Sequence, residues 1–234
     1  MELNFKEKIK NKCPELTNLQ QEQFEKYKNL LLEWNEKINL TAITDENDII
    51  LKHFVDSMTI LKYIEKDSKV VDVGTGAGFP GIPVKIANPN IEVTLVDSLN
   101  KRLLFLQDVI NKLNLNEIKT VHSRAEEFGQ NKLYREKFDI ATSRAVANLS
   151  VLVEYLLPLV KLGGKCICMK GSEIEGELKD SKSAIKTLGG EIEKVEEFTL
   201  PESDIKRTII IIRKIKETPN KYPRKPGVPS KNPL

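Results

Sequence analysis

The stretch Val70-Val71-Asp72-Val73-Gly74-Thr75-Gly76-Ala77-Gly78-Phe79-Pro80-Gly81 constrains this chain more than any other part of it. An apolar run of strand length ends in alternating glycines, and the chain then enters a short helix closed by Asn88-Pro89. Glycine at a strand-to-helix turn removes the side chains that keep a ligand away from main chain. The next apolar run, Ile91–Asp97, ends in an acid about 20 residues on, where a carboxylate accepts from ribose hydroxyls in nucleotide-binding sheets. Gly74, Gly76, Gly78 and Asp97 therefore predict a nucleoside crevice at the carboxyl edge of a parallel sheet.

Strands and helices alternate after this turn. A helix is expected at Asn100–Leu113, strands at Ile118–His122 and Phe138–Ser143, and a helix from Leu149 to Leu162 ending at Gly163-Gly164. A strand at Lys165–Lys170 and a helix at Ile174–Leu188 follow. The last strands, Glu191–Leu200 and Arg207–Ile215, have no helix between them and predict an antiparallel edge hairpin. The fold class is α/β, a doubly wound and mostly parallel Rossmann-like sheet. Before it, Thr17 to Gln20 reads as a capping box, and Phe24, Tyr27, Leu31, Trp34 and Ile38 mark one helix face. A second helix buries Ile49, Ile50, Phe54, Met58 and Leu61. Three regions result: a helical extension at 1–65, the catalytic domain at 66–217, and a basic, Pro-rich arm at 218–234 that should be extended and poorly ordered.

Charge is uneven along the chain. Residues 1–65 carry nine Lys against twelve Asp and Glu, whereas Ile205 to the end holds nine basic residues against Glu217 alone. A basic end of this kind suits a polyanion, or else only solubility. Cys13, Cys166 and Cys168 form no CxxC pair, which speaks against a disulfide framework or a metal site and for a reducing cytoplasm. The longest dense apolar stretch, Thr208–Ile212, is far below the roughly 20 residues a membrane span needs.

Which nucleoside the crevice takes is a matter of local detail. Gly76-x-Gly78-x-x-Gly81 also fits a nicotinamide-dinucleotide fingerprint, so an NAD-dependent oxidoreductase is one reading. Asp72 within the first strand, and Pro80 and Pro83 in the next helix, favour S-adenosyl-L-methionine instead. The prolines remove amide donors that a pyrophosphate would use and a phosphate-free cofactor would not miss. Ala125 and Glu126, after the third strand, are placed beside an adenine, although Glu126 and Glu127 could simply open a helix. Arg144 in Ser143-Arg144-Ala145-Val146 is placed to clamp a cofactor carboxylate or a substrate phosphate. That loop lacks the Asn/Asp-Pro-Pro-aromatic element of amino-directed nucleic-acid methyltransferases, and Cys166 and Cys168 lie in a strand, away from cytosine-type nucleophilic chemistry. His53 shares a helical face with Asp56 and Ser57, as a catalytic cluster or as an anchor for the extension.

Trp34-Asn35, Asn39-Leu40-Thr41, His53-Phe54-Val55-Asp56-Ser57, the glycine motif, TSRAVANL, MKG and Tyr222-Pro223-Arg224-Lys225-Pro226-Gly227-x-Pro229 occur in that order. Together they resemble the bacterial small-subunit ribosomal RNA guanine-N7 methyltransferases, the glucose-inhibited division protein B family. The resemblance implies S-adenosyl-L-methionine contacts at Gly74, Phe79, Ala125, Glu126 and Arg144. It also implies 16S ribosomal RNA, or a small-subunit precursor, as partner. No catalytic acid or base is assigned, because guanine N7 needs none. His53, Arg224 and Lys225 are the candidate substrate contacts. A methyltransferase of proteins or small molecules, and a non-catalytic RNA-binding module, are the other readings.

Overall fold

One seven-stranded sheet, in the order β3-β2-β1-β4-β5-β7-β6, organises a computed structural model that describes residues 3–144 and 146–234. Its strands are β1 (Lys69–Val73), β2 (Glu92–Asp97), β3 (Ile118–His122), β4 (Phe138–Arg144), β5 (Val160–Lys170), β6 (Gly190–Thr199) and β7 (Lys206–Lys214). β1 to β5 are parallel, and β7 runs antiparallel between β5 and β6, so the expected edge hairpin is present. β1 has β2 on one side and β4 on the other. The strand order reverses there, which opens a ligand crevice at the strands' carboxyl ends.

Period-two alternation divides the core into two layers. Val70, Ile140, Ile167 and Met169 face one side, where Phe24, Tyr27 and Leu31 of α2 (Asn18–Ile38) and Phe105 of α6 (Asn100–Lys112) complete the packing. Val71, Ala141, Cys166 and Cys168 face the other, against Leu152 and Leu156 of α8 (Leu149–Leu156) and Ile185 of α9 (Glu175–Thr187). The helical extension is thus one cover of the sheet. Its α2 starts at the expected capping box, with Thr17 Oγ1 accepting from Gln20 N and Gln20 Oε1 from Thr17 N. Gln20 Nε2 also donates to Ile86 O and Ala87 O, closing the last turn of α5 (Gly81–Ala87). A preceding helix, α1 (Phe5–Lys12), has its own capping box at Asn4 and Glu7, a signal the sequence reading passed over.

Three segments depart from expectation. The second extension helix is α-helical at α3 (Glu46–Asp48) and α4 (Asp56–Met58) but π-helical at Ile49–Val55, a wider turn that carries His53. The helix expected to reach Leu162 stops at Leu156, passes through a 3-10 turn at Leu157–Leu159, and is already strand at Val160. Pro158 has no N–H with which to continue an α-helix. Finally, the terminal segment is not an extended, loose arm. Tyr222, Pro223 and Pro229 are buried, and a short helix α10 (Val228–Lys231) follows. Arg135 Nη1 donates to Tyr222 O at 2.6 Å and Nη2 to Thr218 O at 2.7 Å, while Gln130 Nε2 donates to Pro223 O at 2.7 Å. These side chains satisfy main-chain carbonyls that a proline-rich segment cannot pair in a ladder. Among the described residues, no helix is long and apolar enough to cross a membrane.

Tyr27 is fully buried and its hydroxyl donates to Ala77 O at 2.5 Å, pinning the glycine turn to α2. Tyr27→Phe leaves that carbonyl unmet and is expected to cost about 1–3 kcal/mol in urea unfolding. The variant should also bind cofactor more weakly, because the turn loses its anchor.

Candidate active site

Asp72 organises the turn after β1. Its Oδ2 accepts from Thr75 Oγ1 at 2.7 Å and from Gly81 N at 2.9 Å, with no exposed surface. Burial pushes this carboxyl up to about 6, and the hydrogen bonds from Thr75 and Gly81 pull the other way. Gly81 has to be glycine at such a distance, since a Cβ there would lie 2.9 Å from Asp72 Oδ2. Gly78 has φ +94°, and a Cβ on it would meet Tyr27 Oη at 2.7 Å. Five of the turn's amides are spent within the protein. Gly74 N and Thr75 N donate to Val96 O, Gly78 N and Phe79 N to Thr75 O, and Gly76 N to Asp97 Oδ2. A pyrophosphate needs free N–H groups at a helix start. This turn offers bare main chain beside carboxylates, which suits a nucleoside without phosphates.

A cavity of about 450 Å³ lies over the carboxyl ends of β1, β2 and β4. Gly74, Asp97, Ala125, Glu126 and Arg144, all named from sequence, line it together. Gly76, Gly78 and Phe79 build the turn behind it and are not lining residues. Asp97, 3% exposed, accepts from Gly76 N and Leu99 N at 2.9 Å and from Arg102 Nη1 at 3.3 Å, so its carboxylate is held rigidly at the cavity wall. Glu126 opens α7 (Ala125–Gln130) yet does more than charge a helix end. Its Oε1 accepts from Gly227 N at 2.9 Å and lies 3.5 Å from the Tyr155 hydroxyl. Burial, then the Glu126 charge, pushes the Tyr155 hydroxyl up to about 12. Tyr155, Gly227 and Ser230 also line it, and none of them was given a place at the site from sequence alone. Only Gly227 carried a signal, as a glycine between prolines that marks a turn.

Arg144 closes the other end of the cavity. Its guanidinium lies 4.9 Å from the Phe79 ring centroid. Nη1 donates to Lys52 O at 3.0 Å and to Asp56 Oδ2 at 3.3 Å, and Nη2 donates to His53 Nδ1 at 3.2 Å. Arginine can only donate, so Nδ1 is the acceptor and the His53 proton sits on Nε2, which donates to Thr41 Oγ1 at 2.8 Å. The His53 ring stacks on Phe79 at 4.3 Å. Burial and the neighbouring Arg144 charge push His53 down to about 4. The catalytic cluster of His53, Asp56 and Ser57 does not assemble. Ser57 Oγ donates to the His53 carbonyl, and Asp56 serves Arg144 and Arg207, so His53 is an anchor between the extension and the sheet. His122 meets Ser98 O and takes no part. Ala145, next to Arg144 in the motif, lies outside the described residues.

Four of the nine basic residues at this end, Arg207, Arg213, Lys214 and Arg224, are committed to the protein itself. Arg224 makes a double hydrogen bond to Glu154, which has no exposed surface, through Nε and Nη2 at 2.9 and 2.6 Å. Arg207 pairs with Asp56 and Arg213 with Glu193, while Lys214 is buried against Glu136 and Leu157 O. Lys206 and Lys225 remain exposed. Arg224, named from sequence as a candidate phosphate contact, has its guanidinium held by a buried carboxylate, and an unpaired Glu154 would be costly. Among the described residues no group of acids, cysteines and histidines could hold a metal ion.

Fold and crevice define an α/β protein of the methyltransferase type. A TYW2 from M. jannaschii in complex with AdoMet superposes with TM-score 0.55 at 13% identity, over 69% of this chain and 76% of that one. TrmN from Thermus thermophilus gives TM-score 0.52 at 15% identity, over 68% and 48%. The sequence model described as GidB, rRNA small subunit methyltransferase G, matches residues 20–209, and the chain belongs to that family. A ribosomal RNA small subunit methyltransferase G of Alkaliphilus oremlandii is 56% identical across 94% of this chain and 93% of its own length. One from Acetivibrio thermocellus is 58% identical across 93% and 91%.

Two stability effects follow from these pairs. Arg224→Ala strands the Glu154 carboxylate in the interior and should cost about 3 kcal/mol in chemical denaturation, against little for Lys225→Ala. His53 sets a pH dependence. Unfolded, the ring takes a proton near 6.5, whereas folded it stays neutral until about pH 4. The stabilisation is complete above pH 6.5 and is lost as pH falls through that window, by roughly 3 kcal/mol at its lower end. Asp72 works in the opposite sense, since its folded carboxyl takes a proton before the unfolded one does. The comparison that isolates the ring is therefore wild type against His53→Gln, whose stabilities should converge as pH falls from 6.5 to 4.

Proposed function

We propose that this protein transfers a methyl group from S-adenosyl-L-methionine to N7 of a guanine in 16S ribosomal RNA. The observation that carries the reading is the glycine turn, with its amides internally spent and the Asp97 and Glu126 carboxylates beside it. Family membership supplies the RNA class, and the sequence resemblance supplies the atom. Gly74 and Ala125 would lie against the nucleoside, Asp97 would accept from its ribose hydroxyls, and Glu126 would face its base. When bound, the cofactor supplies an electrophilic methyl group on a positively charged sulfur.

Guanine N7 carries an in-plane lone pair and no proton, so no side chain has to act as a base. The protein's task is positioning, which contributes on the order of 7–11 kcal/mol in favourable cases. Arg144, fixed by four partners, borders the place where the two reactants meet. Positive charge moves onto the base during transfer as the cofactor's sulfur loses its own. The acceptor has to be unpaired or turned out of its helix for N7 to be reached. Exposed Lys206 and Lys225 are the phosphate contacts in this reading, while Arg224 holds the terminal segment in place.

The test is mass spectrometry of digested small-subunit RNA from cells with and without the protein. Loss of 7-methylguanosine at one position is expected, and its persistence would refute the assignment. Arg144→Ala should abolish the modification, by at least a hundredfold in rate, with cofactor binding reduced as well.

A further inference from the structure

Asp56 is 3% exposed, yet it spends only one of its carboxylate oxygens. Oδ2 accepts from Arg144 Nη1 at 3.3 Å and Arg207 Nε at 3.1 Å, whereas Oδ1 is buried with no hydrogen-bond partner. An unmet buried acceptor costs about 1–3 kcal/mol, more when charged, so such an atom calls for an occupant. Asp56 lines a second cavity, of about 410 Å³, within the size range of small-molecule sites. Ile43 and Met169 give this space apolar walls, and Lys52 and Arg207 give it cations. Arg144 lines both this cavity and the nucleoside crevice.

We infer that this second cavity receives the acceptor base, and that Asp56 Oδ1 accepts hydrogen bonds from the N1–H and 2-amino group of guanine. The inference rests on the guanine reading above and adds the residue that selects the base. Around the rim of guanine the Watson–Crick edge carries the 2-amino group, N1–H and the O6 acceptor, and N7 follows O6 on the Hoogsteen edge. Asp56 and Arg144 stand side by side, 3.3 Å apart, offering a carboxylate for the donors and a cation for O6, and Arg144 also lines the nucleoside crevice. Adenine would set the N1 lone pair against the carboxylate and has no 2-amino group to offer. The apolar walls accommodate the faces of a turned-out base.

The experiment compares methylation of small-subunit RNA that carries guanine or, by splinted ligation, inosine at the acceptor nucleotide. Inosine keeps N7, O6 and N1–H and lacks only the 2-amino group. Wild-type protein should lose roughly 10-fold to 100-fold in kcat/KM on the inosine RNA. Asp56→Asn should be slower on both and bring the guanine-to-inosine ratio below about threefold. A merely structural Asp56 would lower both rates and leave the ratio at its wild-type value. Should the Asn variant fail to fold, Asp56→Glu is read in the same way, since it keeps a charge for both arginines and displaces the carboxylate. A wild-type protein that methylates the guanine RNA and treats inosine within twofold overturns the role of Asp56 alone. One that methylates neither RNA overturns the acceptor assignment beneath it.

Discussion

Arg144 leaves the end of β4 with its guanidinium over Phe79 and its N–H groups on Lys52 O, Asp56 and His53. A cation this far from water is tolerated only when its donors are met, and here the partners come from the π-helical turn and α4, with Phe79 of the glycine turn beneath. One residue thereby ties three parts of the chain to the strand end that borders both cavities. Removing His53 does not delete a catalytic group. It frees the guanidinium that lines both cavities.

The same economy shapes the opposite end of the crevice. Glu154, without exposed surface, fixes Arg224, and Glu126 accepts from Gly227 N, so the terminal segment closes over one end of the crevice. A net positive tail in the sequence is, in the folded chain, a strap held by two acids of the catalytic domain. Its exposed lysines stay outward. Exposed cations and the contacts that close the crevice are thus different residues in one short segment.

Much of this was legible in the sequence because it is local. The capping box at Thr17, the apolar runs of β1 and β2, and the Gly74–Asp97 spacing depend on neighbours in the chain; the runs form adjacent strands of the sheet, and Gly74 and Asp97 line one cavity. The motif residues Asn35, Thr41, His53 and Asp56 were visible as a pattern, but their roles were not. Asn35 Oδ1 accepts from Leu40 N and Thr41 N, which presents Thr41 to His53, and that relation exists only after α2 and the π-helical turn pack together. The pairs Arg224–Glu154 and Arg207–Asp56 join residues 70 and 151 positions apart, and no periodicity announces them. Proline content suggested a loose arm because ladder bonds are impossible there. Arg135 and Gln130 supply the hydrogen bonds from the side instead.

The central claim is that the glycine turn, its amides already spent, holds a nucleoside without phosphates. Isothermal titration of the wild-type protein with S-adenosylhomocysteine and, separately, with NADH tests it most directly. Saturable binding of S-adenosylhomocysteine at one site, weakened by Asp97→Ala, with no heat from NADH, is the predicted result. Tight NADH binding, or S-adenosylhomocysteine binding that is absent or indifferent to Asp97, would contradict it.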